Sequence, residues 1–224
     1  IPETWAWCRM GDIGSWGAGA TPAKGNLAFY KNGEIPWLVT GELNNSVVTE
    51  TKTKISKVAL EKCSLRLCKP GDVLIAMYGA TIGKLAIAGI ELTTNQACCA
   101  CTPHYECNKY LFYFLMASKP DLIKRGEGGA QPNISKEKLV NYLMPLPPLA
   151  EQKRIVAKLE QVLPLAEEYG AAQEQLDKLN KELPEALKKS ILQEAIQGKL
   201  VEQNPKDEPA SVLLAKIRKE KEAL

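Results

Sequence analysis

Short apolar runs, separated by glycines and polar turns, fill the first two thirds of the chain. Residues 73–78 form a continuous apolar run closed by Gly79, which is typical of a buried strand. Residues 85–88 follow a glycine-bounded turn and predict the hairpin partner of that strand. Two further strands are predicted over 36–40 and 96–102, where apolar residues again dominate.

Helical spacing appears between these strands. Apolar residues spaced by three and four predict one helix over 56–63 and a clearer one over 108–117. Ser135 is a predicted N-cap for a short helix through Val140, because a serine hydroxyl accepts from a free backbone N–H of the first turn. The face that the second helix should bury carries Tyr110, Leu111, Phe114 and Leu115. The first part therefore predicts a compact α+β domain with long polar loops.

A proline-rich joint separates this domain from a helical last third. Pro145, Pro147 and Pro148 hold the backbone extended and allow a helix only from the last of them onward. The pattern thus predicts an α+β chain with a globular, strand-rich domain over 1–148, a long helical, coiled-coil spacer over 149–200, and a linker with a short C-terminal helix over 201–224.

The spacer carries one apolar seam. Its positions alternate in steps of four and three over about three heptads, the spacing of a coiled coil. Pro164 and Pro184 are expected to kink or interrupt the helix, Gly198 to end it, and Pro209 to begin the short helix. The residues predicted to pair across the seam are Ile155, Leu159, Val162, Tyr169, Leu176 and Leu183.

A helix with a single apolar stripe needs a partner helix. The tail helix of the same chain is one candidate, but at about 15 residues it is too short to cover the whole seam. Pairing with a second chain is therefore favoured.

The two parts also differ in composition. Residues 1–148 hold 16 Lys/Arg against 12 Asp/Glu, a net charge of +4, whereas residues 149–224 hold 13 against 14, a net charge of −1. All seven cysteines lie in the first part without a repeated spacing, which favours reduced thiols in a cytoplasmic protein. Because apolar runs are too short to span a bilayer, no membrane association is expected.

Catalytic and metal-binding patterns are not recognisable in the sequence. Residues 79–85 resemble a phosphate-binding loop but have three residues between the glycines, and Leu85 stands where a serine or threonine is required. Cys98, Cys99, Cys101, His104 and Cys107 could form a zinc cluster, but their spacing is poor and small apolar strand residues explain them better. The chain is therefore predicted to bind rather than to catalyse, with no metal and no cofactor.

Polar loops beside the strands carry side chains that suit DNA. Asn and Gln can read base edges, and Lys and Arg bind guanine or phosphate. Surface loops are polar in most proteins, so a simple solvated surface is the competing interpretation. The residues predicted to face DNA are Lys24, Asn44, Asn45, Lys84, Asn95, Gln96, Arg125 and Gln131, in loops that also contain Thr21, Glu42 and Tyr78.

Several motifs together resemble a known family, the specificity subunits of type I restriction–modification enzymes. The likeness begins at 2–7 and 11–13, continues through 19–22, 33–37, 71–74, 79–83, 94–96 and 129–135, and includes the sequence PLPPLAEQKRIV at 145–156 and SILQEAIQGKL at 190–200. The first domain is similar to a target-recognition domain, and the two last stretches are similar to the start and end of the family's spacer helix.

The resemblance implies a non-catalytic subunit that reads double-stranded DNA. Such subunits hold methyltransferase subunits, which use S-adenosylmethionine to methylate adenine, and a translocase–nuclease subunit joins for restriction. The usual subunit carries two recognition domains and two antiparallel spacers, whereas this chain has one of each. It is therefore expected to be either a half-subunit that forms a homodimer or a piece of a longer chain. A coiled-coil adaptor that binds only protein is the alternative function.

Overall fold

The computed structural model describes residues 1–125 and 133–223. Ten strands and six α-helices occur in this described part. The strands are β1 (Ala6–Arg9), β2 (Gly14–Ala18), β3 (Ile35–Leu38), β4 (Ser46–Val48), β5 (Thr53–Ile55), β6 (Val73–Ala76), β7 (Leu85–Ala88), β8 (Thr93–Thr94), β9 (Cys98–Pro103) and β10 (Leu143–Leu146). The helices are α1 (Met10–Ile13), α2 (Lys57–Lys62), α3 (Asn108–Lys124), α4 (Lys136–Val140), α5 (Leu149–Ile196) and α6 (Ala210–Ala223). This confirms the predicted α+β class with a strand-rich domain, a long helix and a short C-terminal helix.

A five-stranded mixed sheet in the order β2-β9-β6-β7-β4 forms the centre of the first part. β6 pairs with β7 in an antiparallel hairpin, as predicted, and β7 pairs in parallel with β4. Both faces of this sheet are covered: Val73 and Ile75 belong to one core cluster, and Leu74 and Ala76 belong to another. Burial on both faces explains why the sequence shows a continuous apolar run here rather than an alternating one.

The cysteines of β9 follow the same alternation. Cys99 and Cys101 lie in the first core cluster and Cys98 lies in the second, so they act as small buried strand residues. Burial raises the pKa of Cys99 to about 11 and that of Cys68 to about 12, which keeps both thiols protonated and unreactive at neutral pH.

Two smaller sheets flank the main one. β3 pairs antiparallel with β5 and parallel with β8, and Trp37 of β3 is buried with Ile55 and Ala59 in a third cluster. β1 pairs antiparallel with β10, which brings the beginning of the chain to the strand that precedes α5. The predicted strand over 36–40 is thus shifted, because Thr40 already begins a 3-10 helix.

The short helices begin where serine can cap them. The Ser56 and Ser135 hydroxyls accept from the backbone N–H groups of Ala59 and Lys138, which confirms the predicted cap at Ser135. The prediction for α3 was too short: the helix continues through Pro120 to Lys124, because Leu122 beyond the proline is buried in the core. Its buried face also differs, since Phe112 is buried and Phe114 is only partly covered.

α5 runs without a break through Pro164 and Pro184, so the predicted interruption does not occur. It ends as predicted, since Gly198 has φ +67° and donates to Ala195 O at 3.1 Å, while Lys199 N donates to Glu194 O at 2.9 Å, a Schellman ending. The chain divides into two compact units, Ile1–Gln161 and Val162–Leu224. In the described residues, no helix combines the length and apolar character that crossing a membrane requires.

The beginning of α5 belongs to the first unit. Gln152 and Val156 are buried there, and the Gln152 side-chain amide donates to Pro147 O at 2.8 Å. Two ion pairs join the start of α5 to the α3 region, Lys153–Glu106 at 2.7 Å and Lys109–Glu160 at 2.6 Å. The first three turns of the helix are therefore anchored to the globular domain.

Candidate nucleic-acid interface

Four loops that are far apart in sequence leave the main sheet at the same end. The register pairs the last residue of β2 with Cys99, and the last residue of β6 with Cys98, the first residue of β9. The first residue of β7 pairs with Ile75, and Ser46, the first residue of β4, pairs with Ala86. Residues 19–26, 39–45, 77–84 and 94–97 therefore meet at one end of the sheet, called the loop end below.

Residues 94–97 form backbone hydrogen bonds with β3 and with the loop at 19–26. Asn95 N donates to Leu38 O at 3.0 Å, and Ala20 N donates to Thr94 O at 3.0 Å. Asn95 is half-buried, and its side-chain oxygen has no hydrogen-bond partner among the described residues. Gln96 is exposed, and its side-chain oxygen accepts from the Thr21 hydroxyl. The predicted residues Asn95 and Gln96 thus lie against the loop that carries Lys24, whose side chain is exposed.

The asparagines of residues 39–45 differ in role. Asn45 has φ +60°, and its side-chain oxygen accepts from Leu85 N at 3.2 Å, so this residue ties its loop to β7. Asn44 is exposed and its side-chain oxygen accepts from the Ser46 hydroxyl at 2.6 Å. Glu42 accepts from Val39 N at 3.2 Å and from Lys52 N at 2.8 Å, so its carboxylate satisfies backbone donors.

The β6–β7 turn brings basic and aromatic side chains to the loop end. Lys84 is half-buried, and its carbonyl accepts from Ala76 N at 2.9 Å. Burial raises the pKa of Tyr78, which pairs with Asn133 in an isolated antiparallel bridge. Gly83 lies directly against the aliphatic part of Lys119, a basic residue of α3. Lys119 was not predicted from the sequence, because it lies in a helix and not in a polar loop.

Arg125 is engaged within the domain. Its guanidinium Nε lies 2.8 Å from the Asp121 carboxylate, and its Cζ lies 5.2 Å from the centre of the Tyr142 ring. The Tyr142 hydroxyl donates to the same carboxylate at 2.6 Å, and this bond, with Arg125, holds the pKa of Asp121 below its ordinary value. Gln131 lies outside the described residues.

The predicted seam residues of α5 become more exposed along the helix. Ile155 packs against the first core cluster and Leu159 is half-buried, whereas the later positions face solvent in this chain. Tyr169 is 71% exposed, and Val162, Leu176 and Leu183 are exposed as well. An apolar stripe of this kind fits a partner helix. Among the described residues, no group of three or more His, Cys, Asp or Glu side chains is placed to hold a metal ion.

Comparison with known proteins gives the family. The pattern of the family described as "Type I restriction modification DNA specificity domain" matches residues 2–189. The chain belongs to this family, which confirms the resemblance found in its motifs. It is 28% identical over 160 residues to the Type I restriction enzyme EcoR124I/EcoR124II specificity subunit of Escherichia coli, covering 69% of this chain and 40% of that protein. It is also 28% identical over 189 residues to a putative type I restriction enzyme MjaX specificity subunit of Methanocaldococcus jannaschii, covering 82% of this chain and 42% of that protein.

Solved structures show the same fold. A chain from a study of complex assembly and conformational transition of the type I R-M system superposes with a TM-score of 0.66 at 25% identity, covering 89% of this chain and 47% of that chain. The HsdS subunit from Thermoanaerobacter tengcongensis superposes with a TM-score of 0.59 at 26% identity, covering 89% of this chain and 46% of that subunit. This chain therefore spans less than half the length of these relatives.

Proposed function

We propose that this chain reads one half of a bipartite double-stranded DNA target for a type I restriction–modification complex. The observation that carries this proposal is the convergence of four polar loops at the loop end of the sheet in a member of the specificity family. The loop end presents amides, hydroxyls and lysines on a rigid sheet, and these groups bind base edges and phosphates. Lys24, Asn44, Lys84, Asn95, Gln96, Arg125 and Gln131 are the proposed contacts, with Asn45 shaping their loop.

The charge of the first part supports a DNA-facing surface. Residues 1–148 carry a net charge of +4, and lysines occur at the loop end in two loops and in α3. Glu42, a carboxylate of the same end, is engaged by two backbone N–H groups, and this pairing reduces its repulsion of phosphate. Attraction to phosphate supplies salt-dependent affinity, while the amides supply sequence discrimination.

α5 is the proposed docking element for protein partners. Its exposed apolar stripe would pair with an antiparallel spacer helix, either of a second copy or of a second half of a longer subunit. Methyltransferase subunits would bind the paired spacers, and a translocase–nuclease subunit would join for restriction. S-adenosylmethionine would be bound by the methyltransferase and not by this chain.

Selection from a random DNA pool tests the reading function. The purified full chain is incubated with random duplexes at two salt concentrations, and bound DNA is sequenced. The proposal predicts an enriched motif and an affinity that falls as salt rises. Affinity for DNA without any enriched motif would contradict sequence reading. Failure to bind any duplex at low salt would favour the adaptor that binds only protein.

A further inference from the structure

Gln96 lies in a segment of the loop end whose backbone is hydrogen-bonded on both sides of it. Backbone bonds hold both sides of it: Asn95 N donates to Leu38 O, and Cys98 N donates to Asn95 O at 3.1 Å. Met77 N donates to Ala97 O at 2.8 Å. These bonds tie the residues on either side of Gln96 to β3 and to the residue that follows β6, so two sheets hold its backbone in place. A side chain that discriminates between nucleotide bases requires a backbone that is held in place in this way.

The loop at 19–26 packs so closely against residues 94–97 that no side chain fits at Gly19. A Cβ added to Gly19 would lie 2.1 Å from Thr94 O and 2.5 Å from Asn95 O, so the two backbones are in direct contact. Gly19 N also donates to Cys98 O at 3.0 Å. The close contact places Thr21, two residues later, beside the Gln96 side chain.

The Thr21 hydroxyl fixes the orientation of the Gln96 amide. It donates to the Gln96 side-chain oxygen, which leaves the exposed amide NH2 as the group available to a ligand. The side-chain oxygens of Asn44 and Asn45 are engaged by the Ser46 hydroxyl and Leu85 N, and that of Asn95 is buried without a partner among the described residues. Gln96 is thus an exposed amide at the loop end whose donor side is set by a neighbouring loop.

We propose that Gln96 is a base-reading residue that selects a hydrogen-bond acceptor in the major groove, and that Thr21 is its positioning residue. This inference rests on the proposed reading of DNA. The acceptors that fit are the N7 and O6 atoms of guanine, the N7 atom of adenine and the O4 atom of thymine. The amino group of cytosine does not fit, because two donors would face each other.

Three variants separate selection by this amide from general affinity. Gln96→Ala removes the donor, and discrimination at one position of the enriched motif is expected to fall by roughly ten- to a hundredfold while other positions stay unchanged. Gln96→Glu replaces the donor with an acceptor, which is expected to shift preference at that position toward the amino group of cytosine or adenine. Thr21→Val keeps the shape of the side chain but frees the Gln96 amide to turn. The same position of the DNA motif should then accept a base edge that offers either a donor or an acceptor.

The measurement is selection from a random duplex pool with the full chain and each variant, together with thermal unfolding of each. Lys24→Ala is the control, because loss of a phosphate contact lowers affinity for all sequences equally. A change confined to one motif position in Gln96→Ala and Thr21→Val, with unfolding unchanged, supports the inference. If the wild-type chain enriches a motif and all three Gln96 and Thr21 variants enrich the same one, the inference is wrong. If the wild-type chain enriches none, the proposed function itself fails.

Discussion

Amides at the loop end divide into those that hold the fold and those that face outward. Asn44 and Asn45 are adjacent and looked equivalent in sequence, yet the side-chain oxygen of Asn45 accepts from Leu85 N in a left-handed turn. The sequence shows that polar residues are concentrated in these loops. It does not show which of their side chains will form hydrogen bonds with the backbone. The partners of Gln96 and Glu42 could not be predicted for the same reason: Thr21 and Lys52 reach them only after the chain folds.

Gly19 should tolerate no side chain. In Gly19→Ala the new Cβ would meet the Thr94 and Asn95 carbonyls, and because these are backbone atoms they cannot move aside cheaply. We expect the free energy of unfolding to fall by about 1–3 kcal/mol, the usual cost of overpacking. Gly25→Ala is the matched control in the same loop, with nothing within 4 Å of its Cβ and an expected change below about 0.5 kcal/mol. Urea unfolding of both variants measures the difference, and equal losses would contradict the close contact.

Lys24 should contribute to affinity through phosphate alone. For Lys24→Ala we expect weaker binding to every duplex and a slope of log affinity against log salt that is smaller by about 1. Lys69→Ala removes the same charge just before β6, at the opposite end of the main sheet, and should leave the slope unchanged. Fluorescence anisotropy across a salt series makes the measurement. Equal slopes for wild type and Lys24→Ala would remove Lys24 from the interface.

At the scale of elements, apolar runs predicted the strands and the prolines at 145–148 predicted where α5 begins, whereas the prolines inside α3 and α5 do not interrupt those helices. The β6–β7 hairpin and the caps of α4 and α5 followed from local pattern, because burial and capping are set by neighbouring residues. α3 continues past Pro120, and Leu122 beyond the proline is buried in the core; that burial, worth about 1.5–3 kcal/mol, compensates a large part of a proline cost of about 3 kcal/mol. Such a balance depends on tertiary packing, which local sequence does not reveal.

The stabilisation that Asp121 gains from Tyr142 and Arg125, which links α3 to the residue before β10, should depend on pH. The Tyr142 hydrogen bond and Arg125 lower the pKa of Asp121 in the folded state, so their stabilisation is present above the unfolded pKa of about 4 and is lost as pH falls through the folded value. Tyr142→Phe should therefore lower the unfolding midpoint at neutral pH, and its difference from wild type should shrink below about pH 4. Tyr105→Phe, at an exposed tyrosine, is the control. A pH-independent difference in urea unfolding would contradict this role of Asp121.

The seam of α5 should mediate association of helices. Leu176→Glu places a charge in the predicted seam, where a partner helix would have to bury it, and we expect loss of the dimer. Gln175→Glu adds the same charge one residue away and off the seam. Sedimentation of both variants beside the wild-type chain measures the association. A dimer that survives Leu176→Glu would show that the seam is not the contact, and a wild-type monomer would favour a piece of a longer subunit.

At the scale of the whole molecule, the loop end joins segments separated by some seventy residues of chain. The loops at 19–26, 39–45, 77–84 and 94–97 are only polar segments in the sequence, and the strand order and register show that they meet. That order could not be derived from the sequence, because local pattern predicts strands and not their neighbours. Membership of the specificity family suggests that the ligand is DNA, and the convergence of the four loops provides the surface that we propose binds it.

Adenine-methylation mapping in cells tests whether the loop end reads DNA. The full chain is expressed in cells with its methyltransferase partner, and modified positions are compared with those in cells that express the partner alone. A split motif is expected only in cells that express this chain. It should be palindromic if two copies pair, and one of its halves should be set by this chain if a second half is supplied. No new motif, with the partner shown to be active on another specificity subunit, would contradict the claim that the loop end reads DNA.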